Sequence, residues 1–379
     1  MRRLTDEQIA IRDMTREFVR TEITPFAADW DRNETVPLPT VLKIGALGLF
    51  GVCIPAEWGG SGADFTSYVL ATEELAYGDA GVCNMISATN SFGLKVRDFG
   101  TPAQKKRFLP PVATGKEIAC MLLTEPQAGS DAANLRTRAA RHGDRYVING
   151  TKSLITSGRS SSVAVLLAVT DPNAGKRGIS AFLIRTDQAG YRVVKIEHKL
   201  GHRSNDTCQI VLEDLEVPAE NMLGRPGEGL KVAFSALDSG RIVVAAQSIG
   251  VARAAFDAAL RYAREREAFG KKLMEHQAIA FKLAEMATEI EVARQMCLHA
   301  AALKQTRVRC IKEASMSKLF ASQMCERVCS AAIQIHGGYG FINDYPVERF
   351  YRDARVFQIY DGTNEVQKIL ISRELAAGH

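Results

Sequence analysis

The sequence predicts an α+β chain of three consecutive parts: an N-terminal helical domain at residues 1–116, a middle antiparallel β domain at 117–228 and a C-terminal four-helix bundle at 229–379. Two observations predict this order. Apolar residues recur every three or four positions towards both ends of the chain, which is the spacing of amphipathic helices. In the middle, short apolar runs bounded by Gly, Pro, Asn or Asp follow one another without long helices between them, which favours an antiparallel sheet.

The N-terminal domain opens with a helix start signal. Thr5 precedes a run with helical apolar spacing, and a threonine hydroxyl at this position can accept a hydrogen bond from a free N–H of the first turn. Clustered Gly and Pro at residues 54–62 predict a loop. Helices are predicted at 66–78 and 102–109, before Gly115 ends the domain.

The middle domain is identified from six short apolar runs. A hairpin is expected at residues 142–144, where His-Gly-Asp forms a turn in front of one run. No Gly-x-Gly-x-x-Gly turn follows any of the runs, which counts against a dinucleotide-binding Rossmann fold. The predicted strands lie at residues 118–123, 145–148, 163–169, 179–184, 191–196 and 208–212.

The C-terminal part carries two long apolar stripes at helical spacing. One extends from Ile279 to Cys297 and the other from Met316 to Ile335. Stripes of this kind are typical of buried helix faces, so we assign them to helix packing and not to a cofactor. Long amphipathic helices within one block predict the four-helix bundle.

The composition excludes several classes of protein. The 379 residues are 46% hydrophobic and 24% charged, which is typical of globular domains and not of disordered or fibrous chains. The net charge of +5 arises from 48 basic and 43 acidic residues without long basic runs, so no nucleic-acid partner is expected. Eight cysteines lack metal-ligand spacing, and no apolar run predicts a membrane span or a signal peptide. We therefore expect a cytoplasmic protein with reduced thiols, no metal and no membrane partner.

Four stretches have residue types that can support chemistry. Residues 123–131, Leu-Thr-Glu-Pro-Gln-Ala-Gly-Ser-Asp, follow a predicted strand, and glycine with small hydroxyl residues there can turn backbone N–H groups towards a pyrophosphate. The other three are residues 149–158, residues 264–277, and residues 335–341 together with 360–365. Each has an ordinary explanation in isolation, namely a polar loop, a hairpin, a solvated helix face, or a structural role for His336.

Taken together and in this order, the stretches resemble the acyl-CoA dehydrogenase family over essentially the whole chain, most closely its short-chain, butyryl-type branch. The markers are Thr-Glu-Pro at 124–126, Ala-Gly-Ser-Asp at 128–131, residues 266–270, His-Gly-Gly at 336–338 and Asp-Gly-Thr at 361–363. The resemblance implies that FAD binds in a cleft between the β domain and the bundle. It also implies an acyl-CoA substrate, a homotetramer built as a dimer of dimers, and an electron-transferring flavoprotein as the electron acceptor.

The resemblance also assigns roles to residues of this chain. Thr156 would hydrogen-bond near the reactive flavin nitrogen, and Arg266 with Gln277 would reach the FAD of a neighbouring subunit. The residues implied at the substrate are Ser130, Asp238, Arg241 and Gly362. The residues implied at FAD are Met121, Leu123, Thr124, Gly129, Ser130, Leu154, Thr156, Arg266, Phe269, Gln277, Gln334, Gly337, Gly338, Thr363 and Glu365.

The position of the expected catalytic base departs from the family pattern. A carboxylate removes the α-proton of the thioester while the flavin takes a hydride from the β-carbon. The family usually places Glu in a Tyr-Glu-Gly-Thr segment, but the residue here is Asp361, whose side chain is shorter by one bond of about 1.5 Å. A misplacement of about 1 Å can lower a rate by about 10²-fold. The bundle position that carries the base in some relatives is Gly240 here.

Several alternatives follow from these departures. In one, Asp361 is the base of a dehydrogenase acting on a short, branched or cyclic acyl-CoA. In another, the fold acts on a carrier-protein-bound acyl group, or runs reductase or other non-dehydrogenase chemistry. A non-catalytic flavin or acyl-CoA binding protein is a third, which the retained Thr156 and Arg241 disfavour.

Two more positions leave alternatives open. Leu154 stands where many members have an aromatic residue, which either makes room for a bulkier acyl group or is neutral. Ser-Ala-Thr-Asn-Ser at 87–91 either lines a pocket for a short, polar or cyclic acyl chain or is hydrogen-bonded within the protein.

Overall fold

The computed structural model describes residues 4–235 and 237–378, and its N-terminal part is helical. The predicted start is confirmed, because the Thr5 hydroxyl accepts a hydrogen bond from the Gln8 N–H at 3.2 Å and the Gln8 side chain accepts one from the Thr5 N–H. The helices are α1 (Asp6–Phe18), α2 (Ala27–Asn33), α3 (Leu38–Ala46), α4 (Phe65–Gly78), α5 (Ala80–Phe99) and α6 (Pro102–Ala113).

The described middle part forms one eight-stranded sheet. Its strands are β1 (Ala119–Leu122), β2 (Arg138–His142), β3 (Arg145–Thr156), β4 (Val163–Val169), β5 (Ile179–Arg185), β6 (Tyr191–Ile196), β7 (Thr207–Pro218) and β8 (Met222–Leu223). The order across the sheet is β6-β7-β3-β2-β4-β5-β8, with β1 beside β4. The predicted hairpin joins β2 to β3, with His142 opposite Arg145.

Most strand pairs are antiparallel, as the sequence predicts, but two pairs are parallel. Strand β1 runs parallel to β4, with Ala119 opposite Val163, and β2 contacts β4 in parallel at Arg138 and Val169. These pairings join segments that are distant in sequence. The middle domain is therefore a mixed sheet in which antiparallel pairs dominate.

The C-terminal part is again mainly helical. Its elements are α7 (Gly229–Phe234), α8 (Leu237–Glu265), β9 (Glu267–Ala268), β10 (Lys271–Lys272), α9 (Gln277–Gln305), α10 (Ile311–His336), α11 (Val347–Ala354) and α12 (Asn364–Ala376). Helices α8, α9 and α10 pack side by side, and α12 packs on α10, which gives the predicted four-helix arrangement. Strands β9 and β10 form a short hairpin after α8.

Three hydrophobic clusters hold these parts together. The largest joins the first and last parts, since Leu75 of α4 packs in the same cluster as Ile249 of α8. The second lies between α5, α6 and one face of the sheet, and the third covers the other face. Strand β4 contributes to both, with Val165 in the second and Leu166 in the third, which explains its unbroken apolar sequence.

Three features bear on the expected partners and compartment of the protein: its cysteines, its metal-ligating side chains and a long apolar helical stretch. All eight cysteines are free and seven of them are buried. No group of three or more metal-ligating side chains occurs among the described residues. The stretch Gly229–Glu265 is apolar and long enough to cross a membrane by composition, but 78% of its apolar window is buried within the protein. Burial to that extent is typical of a core helix in a bundle.

Candidate active site

Asp361 lies in a tight loop between α11 and α12. Asp361 and Gly362 both adopt left-handed backbone conformations, with φ of +50° and +87°. Glycine takes this conformation readily and aspartate tolerates it. The loop ends where the Thr363 hydroxyl accepts a hydrogen bond from the Val366 N–H at 3.3 Å and caps α12.

Helix α8 passes directly beside this loop at Gly240. A Cβ atom built on Gly240 would lie 3.2 Å from Oδ2 of Asp361, so the missing side chain leaves space that the carboxylate borders. Asp238 and Arg241 flank this glycine and form an ion pair of 2.8 Å. The structure therefore brings together the base candidate, the alternative base position and two of the residues implied at the substrate.

Three cations surround the Asp361 carboxylate at longer range. Asp361 is exposed to solvent, yet the protein atoms packed around its carboxylate displace part of the hydration of that group. This burial raises the pKa of Asp361 above its usual value, while Lys95, Lys318 and Arg241 lower it, Lys95 most of the three. The raised pKa makes the carboxylate a better proton acceptor, and the cations oppose its protonation.

The loop at residues 123–131 is held by a buried ion pair that the sequence reasoning missed. Glu125 and Lys152 meet at 2.9 Å, with side chains 2% and 0% exposed. The Glu125 carboxylate also accepts hydrogen bonds from the N–H groups of Arg136 and Thr137. Burial acts to raise the pKa of Glu125, but Lys152 and these donors outweigh it and hold the pKa at about 2.

A bulge in β3 carries the side chain expected beside the flavin. One extra residue on β3 faces β7 between Lys152 and Ile155, and Leu154 there has φ of +57° and a side chain 65% exposed. The Ser153 N–H donates to the Thr124 carbonyl at 2.9 Å, so the bulge is fastened to the 123–131 loop. An exposed, strained apolar residue at such a place is typical of a ligand-facing surface.

The other implied residues of the β domain line the same edge. Met121, Leu123, Thr124 and Thr156 are half-buried, and Ser130 is exposed. A Cβ atom on Gly129 would meet nothing within 4 Å, so the backbone there is open to a ligand.

A second group of implied residues lies around the β9–β10 hairpin and the end of α10. Phe269 and Gly270 form its two-residue turn, both at positive φ, and the Phe269 side chain is 98% exposed. Arg266 lies over the Tyr339 ring at 5.9 Å, in a pocket of about 510 Å³ that Gly337 and Gly338 also line. Gln277 and Gln334 are exposed as well.

In the described part of the chain, no hydrogen bond or ion pair links Asp361 or Gly129 directly to Arg266 or Gly337. Thr363 caps α12 and Glu365 lies in its first turn, beside the Asp361 loop.

The polar segment at 87–91 is hydrogen-bonded within the protein. Ser87 donates to the Cys83 carbonyl, Thr89 donates to the Met85 carbonyl at 3.0 Å, and Asn90 donates to the Leu49 carbonyl at 2.9 Å. Ser91 accepts a hydrogen bond from Lys95 at 2.6 Å. The polar groups of this segment therefore have partners within the protein, as the second of the two alternatives expects, whereas the pocket-lining role of the segment stays a prediction.

His336 has a structural environment. Its ring stacks on Tyr262, with ring centroids 4.3 Å apart, and Nδ1 lies 2.8 Å from the Ala332 carbonyl. Burial lowers the pKa of His336, so the ring is neutral near pH 7. The two glycines that follow it, and not the ring, face open space.

The donor set fits FAD. Open backbone at Gly129, Gly337 and Gly338 can approach a pyrophosphate, Arg266 can pair with its charge, and Leu154 and Phe269 present exposed apolar surface to a ring. These features lie at the positions that the sequence assigns to the cofactor.

Comparison with known proteins places the whole chain in one family. Residues 5–116, 120–215 and 227–376 match sequence models described as the N-terminal, middle and C-terminal domains of acyl-CoA dehydrogenase. The boundaries at 116/117 and 228/229 themselves stay a prediction.

Individual relatives agree with this match. The chain is 43% identical over 375 residues to a short-chain specific acyl-CoA dehydrogenase of Clostridium acetobutylicum, covering 98% of each chain. It is 43% identical over 370 residues to the caffeyl-CoA reductase–Etf complex subunit CarC of Acetobacterium woodii, covering 97% of this chain and 98% of the relative. It superposes on butyryl-CoA dehydrogenase from Megasphaera elsdenii with a TM-score of 0.97 and 40% identity, over 99% of this chain and 100% of the other.

Proposed function

The chain belongs to the acyl-CoA dehydrogenase family, and from that premise we propose that its substrate is the CoA thioester of a short, branched or cyclic acid. It is an FAD-dependent oxidoreductase that dehydrogenates an acyl-CoA thioester to the 2,3-enoyl-CoA. The main structural support for this chemistry is the position of the Asp361 carboxylate, which lies next to Gly240, where no side chain fills the space.

Asp361 acts as the base. One C–H bond breaks at the α-carbon, whose proton moves to a carboxylate oxygen of Asp361, and one breaks at the β-carbon as the double bond forms. Bound FAD supplies the acceptor for the hydride that leaves the β-carbon. The three cations favour the ionised form of Asp361, which is the form that accepts a proton, while desolvation raises the pKa of the carboxyl and so makes it more basic.

The size of the acyl group is argued from the side chains next to the base. The Tyr360 hydroxyl donates to the Gln247 side-chain oxygen, and Gln247 donates to Ser87 at 3.0 Å. Gln247 and Ser87 are buried, and so is Tyr68 of α4, which interacts electrostatically with Asp361. These groups fill the interior next to the base, which supports a compact acyl group over a long unbranched tail.

CoA binding is assigned to the N-terminal end of α8 and to the exposed 123–131 loop. Arg241 is 5% exposed, and its Nε has no hydrogen-bond partner in the described structure. A buried guanidinium with a free donor can bind a polar group of the ligand. Ser130 offers an exposed hydroxyl at the edge of the sheet.

The electron acceptor is proposed to be an electron-transferring flavoprotein. The support is the similarity to CarC, whose name places that relative in a complex with Etf.

A homotetramer, built as a dimer of dimers, is proposed from exposed apolar side chains around the second group of implied residues. Phe269, Phe341 and Phe281 are 98%, 87% and 59% exposed. Large apolar side chains exposed to this extent are typical of interaction surfaces. Light scattering coupled to gel filtration measures the assembly, and a monomeric mass would contradict it.

A cytoplasmic location is proposed from the eight free cysteines. Fractionation of cells that express the protein tests this location.

The similarity to CarC also favours a second candidate, which is reduction of an enoyl-CoA by the same site run in the opposite direction. Asp361 would then donate the proton that it accepts in the dehydrogenation. The two directions differ in a simple observation: an enoyl-CoA would reoxidise the reduced flavin faster than an acyl-CoA bleaches the oxidised flavin.

Anaerobic mixing with acyl-CoA thioesters tests the proposed function. The purified flavoprotein is mixed with linear short-chain, branched, cyclohexanecarboxyl, dicarboxyl and long-chain acyl-CoA, and the absorbance of the oxidised flavin is followed. We expect bleaching with at least one compact acyl group and none with the long chain. Asp361→Asn should bind the same thioester, seen as a spectral shift, without bleaching.

Three outcomes would contradict the proposal. Bleaching that persists in Asp361→Asn would exclude this residue as the base. Spectral shifts without bleaching for every CoA thioester would exclude the dehydrogenation of the tested acids. If no CoA thioester bleaches the flavin and the same acyl groups bleach it when they are attached to a carrier protein, CoA is excluded as the carrier.

A further inference from the structure

Lys318 of α10 is a fully buried lysine whose ammonium points at the base loop. Its exposure is 0%. The Nζ atom donates one hydrogen bond of 2.9 Å to the Gly362 carbonyl and another of 3.0 Å to the side-chain oxygen of Asn364. It forms no ion pair with any carboxylate of the described residues.

An ammonium in such a place is unfavourable by itself. Removing a charge from water without an opposite charge in contact costs free energy, and burial accordingly lowers the pKa of Lys318 to about 8. Hydrogen bonds from a charged donor are stronger than neutral ones, and these two go to Gly362 of the loop and to Asn364, the first residue of α12. The contacts of Lys318 therefore act on the segment that follows Asp361.

That segment needs to be held in place. Asp361 and Gly362 adopt left-handed conformations in succession, which few residues adopt without support. Gln367 of α12 supplies a second donor, with Nε2 at 2.8 Å from the same Gly362 carbonyl. The Gly362 carbonyl is thus clamped from α10 and α12, one residue away from the carboxylate.

We propose that Lys318 is a positioning residue, which fixes the direction of the Asp361 carboxylate by holding the Gly362 carbonyl. An aspartate depends on this positioning more than a glutamate does, because its side chain has one bond less with which to reach the α-proton. The catalytic part of this inference rests on the proposed function, whereas the clamp itself does not.

Charge and position have to be separated, because several groups face Asp361. These groups are Tyr68 on α4, Lys95 on α5, Arg241 on α8, Lys318 on α10 and the neighbouring Tyr360, while Glu365 on α12 interacts with Lys318. Lys95 provides the matched control. It is buried at 2% exposure and lowers the pKa of Asp361, but its hydrogen bonds go to Ser91 and not to the loop.

The experiment compares Lys318→Met with Lys95→Met in the FAD-loaded protein. Methionine matches the length of lysine but has no charge and no donor. Removing either cation should raise the pKa of Asp361, so the acid side of the pH–rate profile for flavin reduction moves to higher pH in both variants. Only Lys318→Met should also lower the limiting rate at high pH, by about 10- to 100-fold, because the Asp361 carboxylate is then less well oriented towards the α-proton.

Two further measurements keep the inference testable. Gln367→Met removes the uncharged donor to the same carbonyl and should lower the limiting rate without moving the pH profile. Hydrogen exchange of a peptide that covers residues 358–366, measured without substrate, should become faster in Lys318→Met and Gln367→Met but not in Lys95→Met. This readout is independent of which thioester is oxidised.

The possible results distinguish failure of the positioning role of Lys318 from failure of the proposed function. Equal limiting rates in Lys318→Met and Lys95→Met, or unchanged exchange of the loop, would overturn the positioning role. If Lys318→Met does not retain FAD, an unchanged limiting rate in Gln367→Met overturns it instead. A wild-type protein that no acyl-CoA reduces would overturn the proposed function, and the exchange data would then still decide whether Lys318 holds the loop.

Discussion

Replacing Gly240 by alanine should make the protein more stable and slower at the same time. Gly240 lies in α8, where a glycine lowers helix stability by about 0.5–1 kcal/mol relative to alanine. Among the described residues outside the helix's own backbone, the only atoms within 4 Å of a new Cβ atom at Gly240 belong to Asp361. The substitution therefore adds helix stability and touches nothing in the described structure but the base.

The size of the kinetic effect follows from one distance. The new Cβ would lie 3.2 Å from Oδ2 of Asp361, whereas ordinary contacts begin at 3.4 Å. The carboxylate must move by a few tenths of an ångström. If a displacement of about 1 Å lowers the rate by about 10²-fold, a displacement of about 0.3 Å corresponds to about a 4-fold loss.

Two assays measure the opposite effects. Thermal unfolding of the FAD-loaded protein should show a higher midpoint for Gly240→Ala, and anaerobic mixing should show slower flavin reduction. Gly250→Ala in the same helix is the matched control, because its Cβ would lie 2.2 Å from the Glu73 carbonyl, so it should lower the unfolding midpoint. A Gly240→Ala protein that reduces its flavin at the wild-type rate would refute the argument, since the carboxylate would then not be acting from the position described.

Three more predictions concern single residues. Asp361→Asn keeps the shape of the side chain but cannot accept the proton, so flavin reduction should fall by about 10²–10⁴-fold with FAD retained; a rate near that of the wild type would contradict this. Arg266→Ala should reduce the flavin-to-protein ratio and the tetramer fraction together after gel filtration, and unchanged values of both would show that this exposed residue serves neither. Glu125→Gln leaves buried Lys152 without its carboxylate and should destabilise the protein by about 3–5 kcal/mol in chemical unfolding. Since the pKa of Glu125 is lowered from 4.5 to about 2, its ion pair stabilises the wild type above pH 4.5 and this contribution is lost as the pH falls towards 2, so the variant should lose less stability over that range.

Local signals made much of the fold predictable. The Thr5 cap and the turn at 142–144 each depend on a few neighbouring residues, and both are found in the structure. Helical spacing in α9 and α10 likewise requires only the sequence of each helix. The parallel pairing of β1 with β4 could not be predicted in this way, because it joins residues more than 40 positions apart and depends on the packing of the whole sheet.

Site residues that belong to a sequence motif could be predicted, whereas those that act through buried contacts could not. The positions of Asp361, Gly129 and Gly337 follow from the family resemblance. Lys152 and Lys318 do not, because a lysine is expected on a solvated face unless something shows that its partner is buried with it. In α10 a signal was present: the buried residues Ser315, Ser317 and Ser322 lie close to Lys318 in sequence, so this stretch of the helix is both polar and internal.

The polar residues at 87–91 show a further reason why part of the site could not be predicted from sequence. Their partners, such as the Leu49 carbonyl for Asn90, come from distant parts of the chain. From sequence alone, a hydroxyl that binds backbone and one that binds a substrate look the same. Only the three-dimensional arrangement separates them.

The core that α4 shares with α8 affects the order in which the protein can fold during synthesis. Residues 65–78 leave the ribosome more than 150 residues before α8 does, and they bury apolar side chains such as Leu75 in the same cluster as Ile249 of α8. Until α8 emerges, that surface has to be shielded from other nascent chains, for which chaperones are the usual means. A fragment ending at residue 228 should therefore aggregate when expressed alone and become soluble when the missing C-terminal helices are co-expressed with it.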